Sequence, residues 1–160
     1  MIFPKWLRRA YLVVTAMTLA LIGLGGGVRA MNAGLACPDW PLCFGQFIPD
    51  YHPQVYFEFI HRALAGSIGL FAMTLHVCLW LQTRGQSRQI RRLRIWTIVN
   101  IALLMSQVVM GGLTVLQLLA PLTVTMHLIL GTGFFTTLLW ITFHLYSENA
   151  DDSPATSGVF

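Results

Sequence analysis

An all-α integral membrane protein, a bundle of four transmembrane helices with both termini cytoplasmic, is the fold class this sequence predicts. Three observations predict it. The 160 residues are 56% hydrophobic and only 10% charged, against roughly a quarter charged in soluble domains. The mean hydropathy is +0.66. The apolar residues gather into four blocks, each long enough for the ~20 residues that a bilayer crossing needs. With no water in the hydrocarbon to satisfy open backbone groups, each block must close its own hydrogen bonds as a helix.

The first block spans about 10–28 and reads AYLVVTAMTLALIGLGGGV. Lys5, Arg8 and Arg9 precede it, as they would in a signal peptide. The run is long for such a segment, however, and ends in Gly25, Gly26, Gly27 and Arg29 rather than a cleavage junction. It is therefore expected to be a retained helix. The second block spans about 55–81, the third 95–118 and the fourth 123–146. Residues 1–146 are expected to form one domain, and 147–160, SENADDSPATSGVF, a disordered polar tail.

Orientation follows from the basic residues. Lys5, Arg8 and Arg9 precede the first helix, and Arg84, Arg88, Arg91, Arg92 and Arg94 crowd the second connection, so eight of ten Lys and Arg lie on one side. The positive-inside rule makes that side cytoplasmic and puts the first and third connections outside. The expected location is the cytoplasmic membrane of a prokaryote. A basic loop beside membrane helices sets orientation, so the bilayer is the expected partner and no nucleic acid is.

The first outer connection lies within GGGVRAMNAGLACPDWPLCFGQFIP, residues 25–49, and carries Cys37 and Cys43. On the oxidising side a disulfide persists, and a bridge closing so small a loop is sterically reasonable. It is either a staple for the loop or an exposed bridge labile enough to exchange electrons. The spacing is not that of a zinc site, and the C-x-x-C-H signal of covalent haem attachment is absent. Cys78, inside the second helix, reads as a small buried hydrophobe.

Ionisable residues inside a membrane helix are functional candidates. The second helix opens with VYFEFIHRALAG, bringing Glu58, His61 and Arg62; the fourth opens with TVTMHLILGTG, bringing His127. Glu58 and His61, three apart, share a face. Both histidines are expected on the order of 6–9 Å below their outer helix ends. Two imidazoles at one depth in a bundle can ligate one haem iron from both faces. Gly25, Gly26 and Gly27 of helix one and Gly111 and Gly112 of helix three give a flat ring clearance, or let helices pack closely. Arg29 and Arg62 are placed to meet haem propionates, or to snorkel. His76 and His144 lie toward the cytoplasmic side, but their depths and angular offsets match poorly for a second haem. His52, in the outer loop, reads as solvated.

These residues together resemble the haem A synthase family. The stretch AGL-CPDWPLC-G is the most specific element, followed in order by EFIHR, GGLTV and MHL. The resemblance implies oxidation of the C8 methyl of haem O to a formyl group with water-derived oxygen, making haem A for terminal oxidases. It implies His61 and His127 as axial ligands of haem b or of the haem O substrate, Glu58 as the catalytic carboxylate, and a Cys37–Cys43 disulfide. Typical members have eight helices in two similar halves; this chain matches the amino-terminal half. A homo-oligomer restoring the paired halves is therefore expected, with a haem O synthase and oxidase-assembly proteins as further partners. The rival readings are a bis-histidine b-type electron-transfer cytochrome and a non-catalytic haem carrier or oxidase-assembly factor.

Overall fold

The computed structural model describes residues 3–83 and 88–151. Within them lie four helices long and apolar enough to cross a membrane: α1 (Lys5–Ala30), α2 (Pro53–Gln82), α3 (Arg88–Leu116) and α4 (Pro121–Asp151). The fold class is the expected one. Each helix extends beyond its apolar block at one or both ends, most of all α3, whose first turns carry the arginines of the second connection. Arg84 and residues 152–160 of the expected tail lie outside the described residues, and α4 itself continues through 147–151.

Local sequence fixes the ends. Pro4 precedes α1, and Pro53 and Pro121 open α2 and α4; a first-turn proline needs no N–H and has its φ set for a helix. α1 stops where Asn32 takes a left-handed φ of 52°, a conformation asparagine tolerates better than most residues. α3 and α4 meet through a tight turn in which Leu118 and Leu119 both have positive φ, 51° and 59°. For leucine that conformation is strained by roughly 1–2 kcal/mol each. The turn puts the Leu119 side chain against Gly34 of the first connection.

α1 pairs with α2 and α3 with α4 as hairpins, α1 and α4 join them, and the α2–α3 seam is the thinnest of the four contacts. The connection 31–52 lies at one end of the bundle, the disulfide end; the arginine-rich starts of α1 and α3 lie at the other, the basic end. The main core occupies the basic half. Leu7, Tyr11 and Val14 of α1 meet Ile68, Ala72, Leu75 and Leu79 of α2, and Phe3, Leu93, Leu104, Phe134, Leu138, Ile141 and Leu145 complete it.

A polar brace runs through this core. Tyr11 Oη donates to His76 Nδ1 (2.9 Å), and His76 Nε2 donates to Asn100 Oδ1 (2.7 Å). The Asn100 amide N–H groups donate to Phe134 O (2.9 Å) and Thr137 Oγ1 (2.6 Å). One chain of bonds thus crosses all four helices, and both His76 nitrogens are used within it. His144 instead stacks on Trp140, ring centroids 5.1 Å apart. The two inner histidines thus have different partners.

A candidate haem site at the disulfide end

Moving seven residues along each helix, about two turns, takes the core layer into a different chemistry. Thr18, Ile68, Leu104 and Phe134 are buried core residues. Seven residues nearer the disulfide end, the same faces carry Gly25, His61, Gly111 and His127. The bundle thus replaces four space-filling side chains with two imidazoles and two glycines in one inward layer. His61 lies about 12 Å from the start of α2, deeper than expected because that helix begins before its apolar block, and His127 lies about 9 Å from the start of α4, at the deep end of the expected range.

Each histidine faces a glycine of the helix before it. A Cβ on Gly25 would stand 3.0 Å from His61 Cε1, and one on Gly111 would stand 3.2 Å from His127 Cε1. Such distances are shorter than van der Waals contact, so any larger residue would push the ring aside. The Nδ1 atoms of both imidazoles are buried without a hydrogen-bond partner. Gln107, one turn before Gly111, brings its amide Nε2 to 3.4 Å from His127 Nε2.

A second cluster sits immediately beyond. Glu58 is 3% exposed. Its Oε2 accepts the Cys37 N–H at 2.8 Å, and its Oε1 is paired with Arg62 Nη2. Arg62 Nη1 also donates to Asp39 O (2.7 Å) and Leu42 O (3.0 Å), and Nη2 to Cys37 O (3.1 Å). One guanidinium thus holds three loop carbonyls and one carboxylate. The Asp39 carboxylate accepts the N–H groups of Phe44 (2.6 Å) and Gly45 (2.8 Å). The Gly45 N–H foremost, with that of Phe44 and the Arg62 charge in support, holds the Asp39 carboxyl below the usual carboxylate range.

The Cys37–Cys43 disulfide is formed. Both of its residues are buried, packed with Val55 against Ala36 and Phe59. Burial favours the staple over the labile bridge, because exposed disulfides are the readily exchanged ones. Cys78 is the free cysteine among the described residues and borders the main core.

The remaining expected residues divide. Gly27 makes room for Phe57, where a Cβ would come within 3.3 Å of the ring, and Gly112 makes room for Trp40 of the disulfide loop, at 3.1 Å. Gly26 faces open space, and Arg29 lies exposed in the last turn of α1. Arg62, expected beside a propionate, directs its donors into the loop. Sequence reading passed over Trp40, Asp39 and Gln107. Gln107 could have been found as an amide in an apolar block, on the same helix face as Gly111 and Asn100. Nothing in the sequence pairs Trp40 with Gly112.

The chain matches the COX15-CtaA family, described as cytochrome oxidase assembly protein, over residues 8–159. It is 30% identical over 152 residues to a heme A synthase of Shewanella oneidensis, covering 84% of this chain and 43% of that protein. It is 35% identical over 126 residues to a heme A synthase of Symbiobacterium thermophilum, covering 78% and 39%. It is 25% identical to one of Bacillus pumilus, covering 93% and 48%. The chain spans less than half the length of these curated relatives. The four spanning helices and the match along nearly all of its length agree, and the chain belongs to the COX15-CtaA family of cytochrome oxidase assembly proteins.

Proposed function

We propose that this chain is a haem A synthase-like oxidoreductase of a prokaryotic cytoplasmic membrane, holding a haem between His61 and His127 and oxidising the C8 methyl of haem O to a formyl group. The observation that carries the reading is the glycine-faced histidine pair. Two imidazoles share one inward layer, each opposed by a glycine and each with a buried nitrogen lacking a partner. Buried polar atoms without partners are costly and rare. An imidazole pair in a bundle interior suits haem iron, and the same ligands serve resident haem b or substrate haem O. When bound, the iron supplies the one-electron redox chemistry.

Turning a methyl into a formyl group removes four electrons and four protons and adds one oxygen, taken from water in this reading, with the electrons passed to an external electron acceptor. The chain's part is to orient, to hold charge and to move protons. Glu58, three residues before His61, is the carboxylate that stabilises positive charge developing at the substrate edge. Each of its oxygens carries one donor and keeps a lone-pair direction for water. Arg29 is the guanidinium open to a propionate, while Arg62 holds the loop. Gly25 and Gly111 give the imidazoles their room, with Gly26 open beside them; Gly27 and Gly112 shape the outer end through Phe57 and Trp40.

The working unit is a homo-oligomer that receives haem O from a haem O synthase and serves oxidase assembly. Ala16, Ala20, Gly23 and Ala30 support it, forming a small-residue stripe on the outward face of α1, the kind of surface on which membrane helices associate. Native mass measurement in mild detergent showing a fully active monomer rejects the oligomer.

Co-expression with a haem O synthase, followed by extraction of haems, tests the function. Formyl haem is expected from the wild type and absent from His61→Ala and Glu58→Gln. One observation favours a second reading: both Glu58 oxygens are already engaged in holding the loop. A haem carrier or assembly factor would leave haem O unaltered, with a stable bis-histidine spectrum in wild type and Glu58→Gln alike.

A further inference from the structure

We propose that Trp40 is a positioning residue that closes the disulfide end of the α2–α3 seam over the two histidines, and that the Cys37–Cys43 bridge keeps it seated. The seam is the thinnest contact in the bundle, so a planar ligand meets least resistance there. The disulfide loop crosses it. On the α2 side, Arg62 fixes the carbonyls of Cys37, Asp39 and Leu42, residues that bracket Trp40. On the α3 side, the indole lies on Gly112, whose added Cβ would stand 3.1–3.2 Å from its ring carbons. Arg62 and Gly112 each follow directly on a residue of the histidine layer, His61 and Gly111.

Three restraints keep the indole in place. The disulfide closes the loop around it, Arg62 ties the loop to α2, and the Asp39 carboxylate draws in the N–H groups of Phe44 and Gly45. The seat itself is a glycine, because any side chain there would occupy the indole's position. Trp40 nevertheless remains 39% exposed, so it covers the opening without being part of the core. A large aromatic contributes contact area at little entropic cost, which suits a closure that must open to admit a ligand. Cutting the bridge lengthens the free loop and unseats the indole, and the seam opens.

The inference rests on the haem reading above, so its test separates the two. The protein is labelled with 5-fluorotryptophan in nanodiscs, and the Trp40 ¹⁹F resonance is identified with Trp40→Phe. Haem release is followed in the same preparations as transfer to apomyoglobin. In Cys37→Ser/Cys43→Ser and in Gly112→Val the Trp40 resonance is expected to move toward the value of free indole, with a smaller shift in Gly112→Ala. Haem transfer should quicken about tenfold in these variants and in Trp40→Ala, the scale of one lost aromatic contact. Combining Trp40→Ala with the double serine change should add nothing further.

An unmoved Trp40 resonance in both the serine pair and Gly112→Val overturns the seat. A moved resonance with unchanged haem transfer overturns the closure, as do effects that multiply in the combined variant. A folded protein that takes up no haem overturns the haem reading and the closure with it, while the resonance still decides the seat.

Discussion

Glu58 shows how one side chain can be legible as important while part of its surroundings stays hidden in the sequence. A carboxylate three residues before a membrane histidine stands out in the sequence, and chemistry at a ring edge is the natural reading. The structure adds that both oxygens already bind, one to the Cys37 N–H and one to Arg62. Arg62 is the i+4 neighbour that the helical period offers, but Cys37 arrives from a loop 21 residues earlier, which no helical period reveals. Glu58→Gln keeps the shape and removes the charge, leaving Arg62 with neutral acceptors only. We expect it to cost about 1–3 kcal/mol, read by chemical unfolding in detergent, as well as the haem chemistry. Asp39 gives the pH dependence. Its folded carboxyl titrates below the ordinary value, so its contribution is present above the usual carboxylate range and is lost as pH falls through the depressed value. The loop should therefore gain protease sensitivity in acid below about pH 4. Asp39→Asn should show that sensitivity already at neutral pH, with little further change on acidification.

Helix faces were partly readable, and the limit was angular. Apolar blocks located all four helices, but a triplet such as Gly25-Gly26-Gly27 spreads over about 200° of helix circumference. The sequence alone could not say which member faces a histidine. The structure selects Gly25 and leaves Gly26 open. Gly25→Ala and Gly111→Ala should therefore displace an imidazole and lower haem occupancy several-fold, read from the absorbance ratio of haem to protein. Gly26→Ala should leave occupancy unchanged and stabilise α1 by up to ~1 kcal/mol through helix propensity. His76 makes the complementary case. It was set aside as a haem ligand on spacing, but its actual partners, Tyr11 and Asn100, lie on two other helices and were not visible. His76→Leu strands both partners. It should destabilise the bundle by about 0.6–2 kcal/mol, the range for polar contacts between membrane helices, with the haem spectrum unaltered.

At the scale of the whole molecule, the fold segregates its chemistry along the membrane normal. The basic end holds Arg8 over the Tyr146 ring and Arg94 over the Trp80 ring, then the aliphatic core with its polar brace. The disulfide end holds the histidines, the glycines and the strapped loop. Even-numbered crossing was legible because hydropathy alone counts helices, and the positive-inside rule then assigns the sides. That assignment makes a prediction that neither residue nor helix can. If the basic end is cytoplasmic, the Cys37–Cys43 bridge faces the compartment where disulfides persist. In a Cys78→Ala background, intact cells treated with a membrane-impermeant phosphine and then an impermeant maleimide should label Cys37 and Cys43. Burial of the bridge should make this labelling slow, and the Asp39→Asn loop should speed it. Inverted vesicles should label only after permeabilisation. Labelling confined to untreated inverted vesicles would put the loop in a reducing compartment, where the bridge, the Trp40 seat and the outward-facing site would all lose their footing together.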